Sequence, residues 1–216
     1  MASHELKTPL TSLSALVQVV QAKLKNSDDA FFVSAMDKAS AQIKRMTAMI
    51  NGFLNISRLE AGKIQIEKQP VDICKLLNEI LEETRMTAGT HEIVMTACTP
   101  IIIDADPDRI SSVVSNLISN AVKYSPKGKT VEVECKTADK MVVISVKDEG
   151  MGIKPQDIDK IFDRYYRVES NHTRHISGFG IGLYLSAEIV HRHGGQIWAE
   201  SKSGKGSTFS FTLPMT

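Results

Sequence analysis

The sequence predicts an α+β chain: an N-terminal antiparallel helical hairpin that pairs with a second copy into a four-helix bundle, followed by an α/β two-layer sandwich. Three observations carry this. Apolar residues recur at helical spacing from Leu6 to Phe53, a period of two takes over beyond Gly62, and glycine-rich turns separate later strands from helices. The expected domains are residues 1–62 and 63–216.

The first helix carries Leu6, Leu10, Leu13, Val17, Val20 and Leu24 in steps of four and three, one continuous stripe. After the polar break "NSDD" the rhythm resumes at Phe32, Met36, Ala39, Ile43, Met46, Ile50 and Phe53, a bundle seam that should stop near Gly62. Leu16, Val19, Met49 and Leu54 flank the stripes. A lone hairpin cannot cover them, so a homodimer is expected. Next, "KIQIEKQPVDI" alternates like a strand and turns at Pro70, and Asp72 is placed to cap the helix "CKLLNEILEETRM". "HEIVMTA" and "IIIDAD" read as short strands. "DPDRISSVVSNLISNAVKYS" reads as a helix capped at Asp106 with Pro107 in its first turn. "KTVEVECKT" and "KMVVISVKDEG" are half-buried strands, "GIGLYLSAEIVHRHG" a helix, and "GQIWAES" and "GSTFSFTLP" closing strands.

Composition bounds the partners. Of 216 residues, 42% are hydrophobic and 24% charged, ordinary for a globular chain, and a net charge of +1 gives no electrostatic case for nucleic acid. Cys74, Cys98 and Cys135 are odd in number and far apart, so neither a disulfide framework nor a zinc site is expected, and a reducing, cytoplasmic setting is favoured. No apolar run approaches the roughly 20 residues of a membrane span. The chain opens already in helical pattern, which suggests a piece of a longer protein whose membrane attachment would lie in segments absent here.

Several strings carry chemistry. In "SHELKTPL", an outward His4 and Glu5 precede Pro9, an interior proline that costs a helix about 3 kcal/mol or more. Neutral imidazole is a nucleophile near pH 7, and a neighbouring carboxylate can hold one ring N–H. Asn116 and Asn120 share one helix face, where amide oxygens can help hold magnesium, and Lys123 and Tyr124 follow a turn later. "DEGMGI" sets Asp148, Gly150 and Gly152 at a strand end, suited to a flat ligand with an exocyclic amine. "GFGIGL" sets Gly178, Gly180 and Gly182 at a helix N-terminus, which attracts phosphate, but with neither a Rossmann nor a P-loop spacing. Taken singly, a strand-ending turn with a solvated aspartate is the favoured reading of "DEGMGI", and a polar helix face without a ligand that of Asn116. The order of the strings and their placement on these elements argue for one site.

On these motifs the chain resembles the catalytic core of bacterial sensor histidine kinases, along essentially its whole length. "SHELKTPL" is similar to the phosphoacceptor box, "NLISNAVKYS" to the asparagine box, "DEGMGI" and "GFGIGL" to the two glycine boxes, and "IFDRYYRV" to the aromatic box. The resemblance implies ATP and Mg2+ as cofactors, phosphorylation of His4 assisted by Glu5, and transfer to the receiver domain of a response regulator. It implies that Asn116 and Asn120 serve magnesium, Lys123 the phosphates, Tyr124 the adenine and Asp148 the adenine amine. The five glycines would shape the pocket, and Phe162, Tyr165 and Arg167 would position a lid formed by "VESNHTRHIS", in which His172 and His175 read as solvated. Thr8 matches the E-x-x-T pattern of members that also dephosphorylate their partner, with a plain helix-surface threonine as the alternative. Phe179 departs from the family's small residue, which bears on lid packing. An ATP-hydrolysing clamp of the same superfamily and a degenerate scaffold are the competing readings. The clamp needs a glutamate base where this chain has Asn116.

Overall fold

The computed structural model describes residues 2–24, 30–60, 65–86, 91–125, 130–168 and 179–215; in the two N-terminal helices, side chains are described for residues 10–22 and most of 31–54. Two compact units emerge, Met1–Ile64 and Gln65–Thr216.

The first unit is helix α1 (Ala2–Leu24) and helix α2 (Ala30–Glu60). Helix α1 passes through Pro9 without ending there. Gln21 Nε2 donates to Asp37 Oδ1 at 2.8 Å, joining the end of α1 to the start of α2 in an antiparallel pair. Leu10, Ile43 and Leu54 are buried, whereas Leu16 is 63% and Phe31 75% exposed. The expected division into seam and flank is corrected: Leu54, read as flanking, is buried, whereas the seam residues Leu13, Val20, Phe32 and Met46 stay open like the flanking Leu16 and Val19, because two helices cover only one narrow face of each other. The connecting turn and the expected stop at Gly62 fall outside the described residues.

The second unit runs β1 (Gln69–Asp72), α3 (Ile73–Arg85), β2 (Glu92–Cys98), β3 (Ile102–Ala105), α4 (Pro107–Tyr124), β4 (Thr130–Ala138), β5 (Met141–Asp148), α5 (Pro155–Ile158), α6 (Gly182–Arg192), β6 (Ile197–Lys202) and β7 (Gly206–Pro214). Five strands form one sheet in the order β2-β4-β5-β7-β6, parallel between β2 and β4 and antiparallel elsewhere. Along β5, Val142, Ile144 and Val146 are buried while their neighbours are not, the alternation of a sheet with one covered face. Their partners on β7, Leu213, Phe211 and Phe209, continue the same layer. Helices α3, α4 and α6 cover it with Leu77, Leu81, Ile110, Leu117, Ile118 and Val190, giving the expected two-layer α/β sandwich. Asp139 and Lys140 link β4 to β5 with φ of 48° and 61°, the two-residue hairpin connection that matches strand twist.

Capping follows the sequence. Asp72 Oδ1 accepts from Lys75 N–H and Asp106 Oδ1 from Arg109 N–H, each at 3.1 Å. Asp106 also anchors the chain leading into the unit, because its Oδ2 accepts from Glu67 N–H at 3.0 Å. Buried His193 completes this clasp: its Nε2 accepts from Asp106 N–H at 3.0 Å and its Nδ1 donates to Ile189 O at 2.7 Å.

Two further expectations are corrected. Pro70 does not turn the chain; it lies inside β1, opposite Asp104 of β3, in a two-stranded ribbon where every strand is an edge and the missing N–H is tolerated. A disulfide does form, between Cys74 and Cys98, whose Cα atoms are 5.8 Å apart across 24 residues of sequence. The pairing of β1 with β3 and the bond from Ile73 N–H to Ile101 O bring the start of α3 beside the chain that leaves β2. Cys135 stays free and buried, and burial pushes its thiol up to about 11, which leaves it unreactive.

Candidate active site

Helix α4 is buried along Ile110, Val113, Val114, Leu117, Ile118 and Ala121, which aims the remaining face outward. On it stand Asn116 and Asn120, both half-buried, then exposed Lys123 and half-buried Tyr124. All four line a pocket of about 220 Å³ bounded by residues of β5, β7 and α6 as well. Its apolar walls are Met151, Ile153, Ile161, Leu183 and Phe209, a surface suited to a flat heterocycle.

Asp148 is the only carboxylate among the described lining residues, and it is 4% exposed. Its Oδ1 accepts from Gly150 N–H at 2.7 Å, and Ser207 N–H also donates to the carboxylate. Burial raises its pKa, and these two hydrogen bonds oppose the rise. Charge-assisted bonds to fixed backbone donors hold the side chain still while leaving acceptor capacity for a ligand. Burial also raises the pKa of Tyr124, with the Arg167 guanidinium pulling it down; both residues line the pocket.

The glycines have separate reasons to be there. A Cβ on Gly150 would strike the Tyr124 carbonyl, whose oxygen accepts from Met151 N–H at 3.1 Å. Gly152 has a φ of +66° and would strike the Lys202 carbonyl. Gly180, at φ +67°, lies against the backbone of Tyr165 and Tyr166, and Tyr165 N–H donates to Gly180 O at 2.8 Å. A Cβ on Gly182 would lie 2.5 Å from Asn116 Oδ1. Gly152, Gly180 and Gly182 line the pocket; Gly150 shapes it from behind. Gly178, His172 and His175 fall outside the described residues.

In the aromatic stretch, Arg167 reaches the pocket but Phe162 and Tyr165 do not. Phe162 packs on the core, and Tyr165 is 52% exposed beneath the Arg164 guanidinium, at φ +64°. The aromatic that does line the pocket is Tyr166, whose Oη donates to buried Asp157 Oδ1 at 2.6 Å. Ser207 is a second lining residue that sequence reasoning missed; it lies inside a strand pattern, where nothing in the sequence marks it.

Residues 105–216 match the family described as histidine kinase-, DNA gyrase B- and HSP90-like ATPase, and residues 1–62 match the His Kinase A (phospho-acceptor) domain. The chain belongs to the sensor histidine kinases. It is 37% identical to the sensor histidine kinase WalK of Bacillus subtilis (strain 168) across 98% of this chain and 35% of that protein. Against a sensor protein kinase WalK of Staphylococcus aureus it is 36% identical, across 98% of this chain and 52% of the relative. The chain thus spans roughly a third to a half of the length of these relatives. Among solved structures, full-length ShkA in complex with AMPPNP is similar with a TM-score of 0.79 and 26% identity over 99% of this chain and 44% of that one. Acinetobacter baumannii AdeS, at 20% identity and a TM-score of 0.66 over 99% of this chain and 98% of its own, shares the fold.

In this histidine kinase core, His4, Glu5 and Thr8 all lie in α1, and their side chains are outside the described residues. His4 and Thr8 are four residues apart, one turn along the same helix face. Among the described residues, no cluster of three or more His, Cys, Asp or Glu could hold a metal ion, and no helix is long and apolar enough to cross a membrane.

Proposed function

We propose that this chain is the catalytic core of a two-component sensor kinase that phosphorylates itself on His4 from ATP and passes the phosphoryl group to an aspartate of a response-regulator receiver domain. Residues 1–62 serve as the dimerisation and phosphoacceptor hairpin and residues 63–216 as the ATP-binding domain. The observation that carries this reading is the layout of one pocket, with a buried, backbone-fixed carboxylate against apolar walls and two amides with a lysine on the α4 face.

In this reading Asp148 accepts from the adenine amine, and Tyr124 flanks the base. Lys123 and Arg167 offset phosphate charge. Helix α6, which opens without a side-chain cap, turns free N–H groups toward the phosphates. Asn116 and Asn120 would hold Mg2+ through their amide oxygens, neutral donors that suit an ion arriving with the phosphates and keeping several waters, and it would supply charge neutralisation there. His4 attacks the γ-phosphorus through one ring nitrogen as the bond to the β,γ-bridging oxygen breaks, ADP leaves, and the other ring nitrogen gives its proton to Glu5 or solvent. Thr8 is suited to orient water on a phospho-aspartate for the reverse control. The exposed apolar face of Leu13, Leu16, Val19 and Val20 supports a homodimer through the hairpin. In this reading the core works in the cytoplasm on the strength of its family alone, since the Cys74–Cys98 bond removes the cysteine argument for a reducing setting.

A hydrolytic clamp requires a carboxylate base near the γ-phosphate. At the position of that base this chain has Asn116, which cannot take a proton, and Asp148, the carboxylate among the described lining residues, is held by Gly150 and Ser207. Incubation with γ-labelled ATP and Mg2+ tests the kinase reading: the label should survive alkali and be lost in acid, as a phosphoramidate is. Label that resists acid would overturn it.

A further inference from the structure

We propose that Ser186 is a positioning residue for the Mg2+–nucleotide complex, acting by fixing which way the Asn116 amide faces. The inference rests on the kinase reading above and deepens it at the same site. Ser186 is 2% exposed, sits on the second turn of α6 and does not line the pocket. Its hydroxyl oxygen accepts from Asn116 Nδ2 at 3.0 Å, a bond between α4 and α6 across 70 residues of sequence.

An asparagine amide has one end that can ligate a cation and one end that would repel it. With Nδ2 donating to Ser186, the carbonyl Oδ1 takes the other position. That position is defined: Oδ1 lies where a side chain on Gly182 would otherwise project, 2.5 Å from the site of its Cβ. Gly182 is the first residue of α6, at the helix end whose N–H groups lack a side-chain cap. The oxygen is therefore held beside the place where phosphate binds most readily, ready to share a cation with it. Without the Ser186 bond, the amide can rotate and present N–H groups to the metal. Ser186 thereby accounts for the spacing between the asparagine helix and the glycine-opened helix: the serine and the absent side chain of Gly182 hold the two ends of one amide.

The test uses this 216-residue chain and a non-hydrolysable β,γ-imido analogue of ATP, titrated by calorimetry with excess Mg2+ and again with EDTA. Ser186→Ala removes the acceptor, Ser186→Cys keeps the volume with a poor acceptor, and Ser186→Thr restores the hydroxyl; a thermal melt confirms that each is folded. A neutral hydrogen bond contributes about 0.5–1.5 kcal/mol, so Ala and Cys should lose about two- to tenfold of the Mg2+-dependent gain in affinity. Their metal-free affinity should match the wild type, and Thr should recover the gain. Equal affinities in all variants, or equal losses with Mg2+ and with EDTA, would overturn the role of Ser186 while leaving the kinase reading intact. Failure of the wild type to bind the analogue under either condition would instead overturn the kinase reading and this inference with it.

Discussion

Asp148→Asn separates adenine recognition from general pocket integrity. The substitution keeps shape and burial but makes one carboxylate oxygen an NH2 group. Because Gly150 N–H donates to Oδ1 at 2.7 Å, that position must remain an oxygen, and the new amide nitrogen falls at the other one. A purine 6-amine arriving there meets a donor instead of an acceptor. Hydrogen bonds to charged groups contribute about 1.5–3 kcal/mol, so ATP affinity should fall roughly 10- to 150-fold. Guanine presents a carbonyl at the same place, so GTP should lose nothing and can gain. Calorimetric titration of both nucleotides, with a thermal melt to register any loss of the Ser207 bond, reads the effect. An equal fall for ATP and GTP would remove Asp148 from base recognition. Burial also raises the Asp148 carboxyl above its ordinary 3.8, so wild-type ATP affinity should decline on acidification above the ordinary carboxylate range, and this component should be absent in Asp148→Asn.

Other perturbations test neighbouring links. Gly182→Ala places a Cβ 2.5 Å from Asn116 Oδ1, so it should abolish the Mg2+ enhancement of nucleotide binding while the unit stays folded by circular dichroism. Burial lowers the pKa of His193 from 6.5, so the unfolded chain binds the proton first as pH falls. The stability contributed by neutral His193 is therefore full above 6.5 and lost as pH falls through the folded-state value; His193→Gln should lower stability at neutral pH and flatten that acid slope in urea melts. Lys140 occupies a φ of 61°, so Lys140→Gly should stabilise the second unit by about 1 kcal/mol in the same assay, and a loss would contradict the hairpin geometry.

Strongly periodic segments were legible because their pattern is set by burial itself. Strands β4 and β5 alternate as one covered face demands, and Asp72 and Asp106 announce the helices they cap. Non-local geometry was not legible. Cys74 and Cys98 meet only because the β1–β3 ribbon brings the start of α3 back to the end of β2. In the aromatic stretch, the left-handed turn at Tyr165 rotates that ring outward and leaves Tyr166 facing the pocket, a reversal that no spacing rule reveals. Helix α5, one turn opened by Pro155, is too short to show a period. Asn116, Asn120, Lys123, Tyr124, Asp148, Gly152, Arg167, Gly180 and Gly182 stand in motifs and line the pocket, but Tyr166 and Ser207 line it too without a motif position that singles them out.

The central claim joins the pocket of one unit to a histidine on the other. Its most direct test is His4→Gln, assayed for phosphoryl incorporation from γ-labelled ATP and, in parallel, for binding of the non-hydrolysable analogue. The account predicts no incorporated label with unchanged nucleotide affinity. Label persisting in the variant at the wild-type level would contradict it, because the acceptor would then lie elsewhere in the chain.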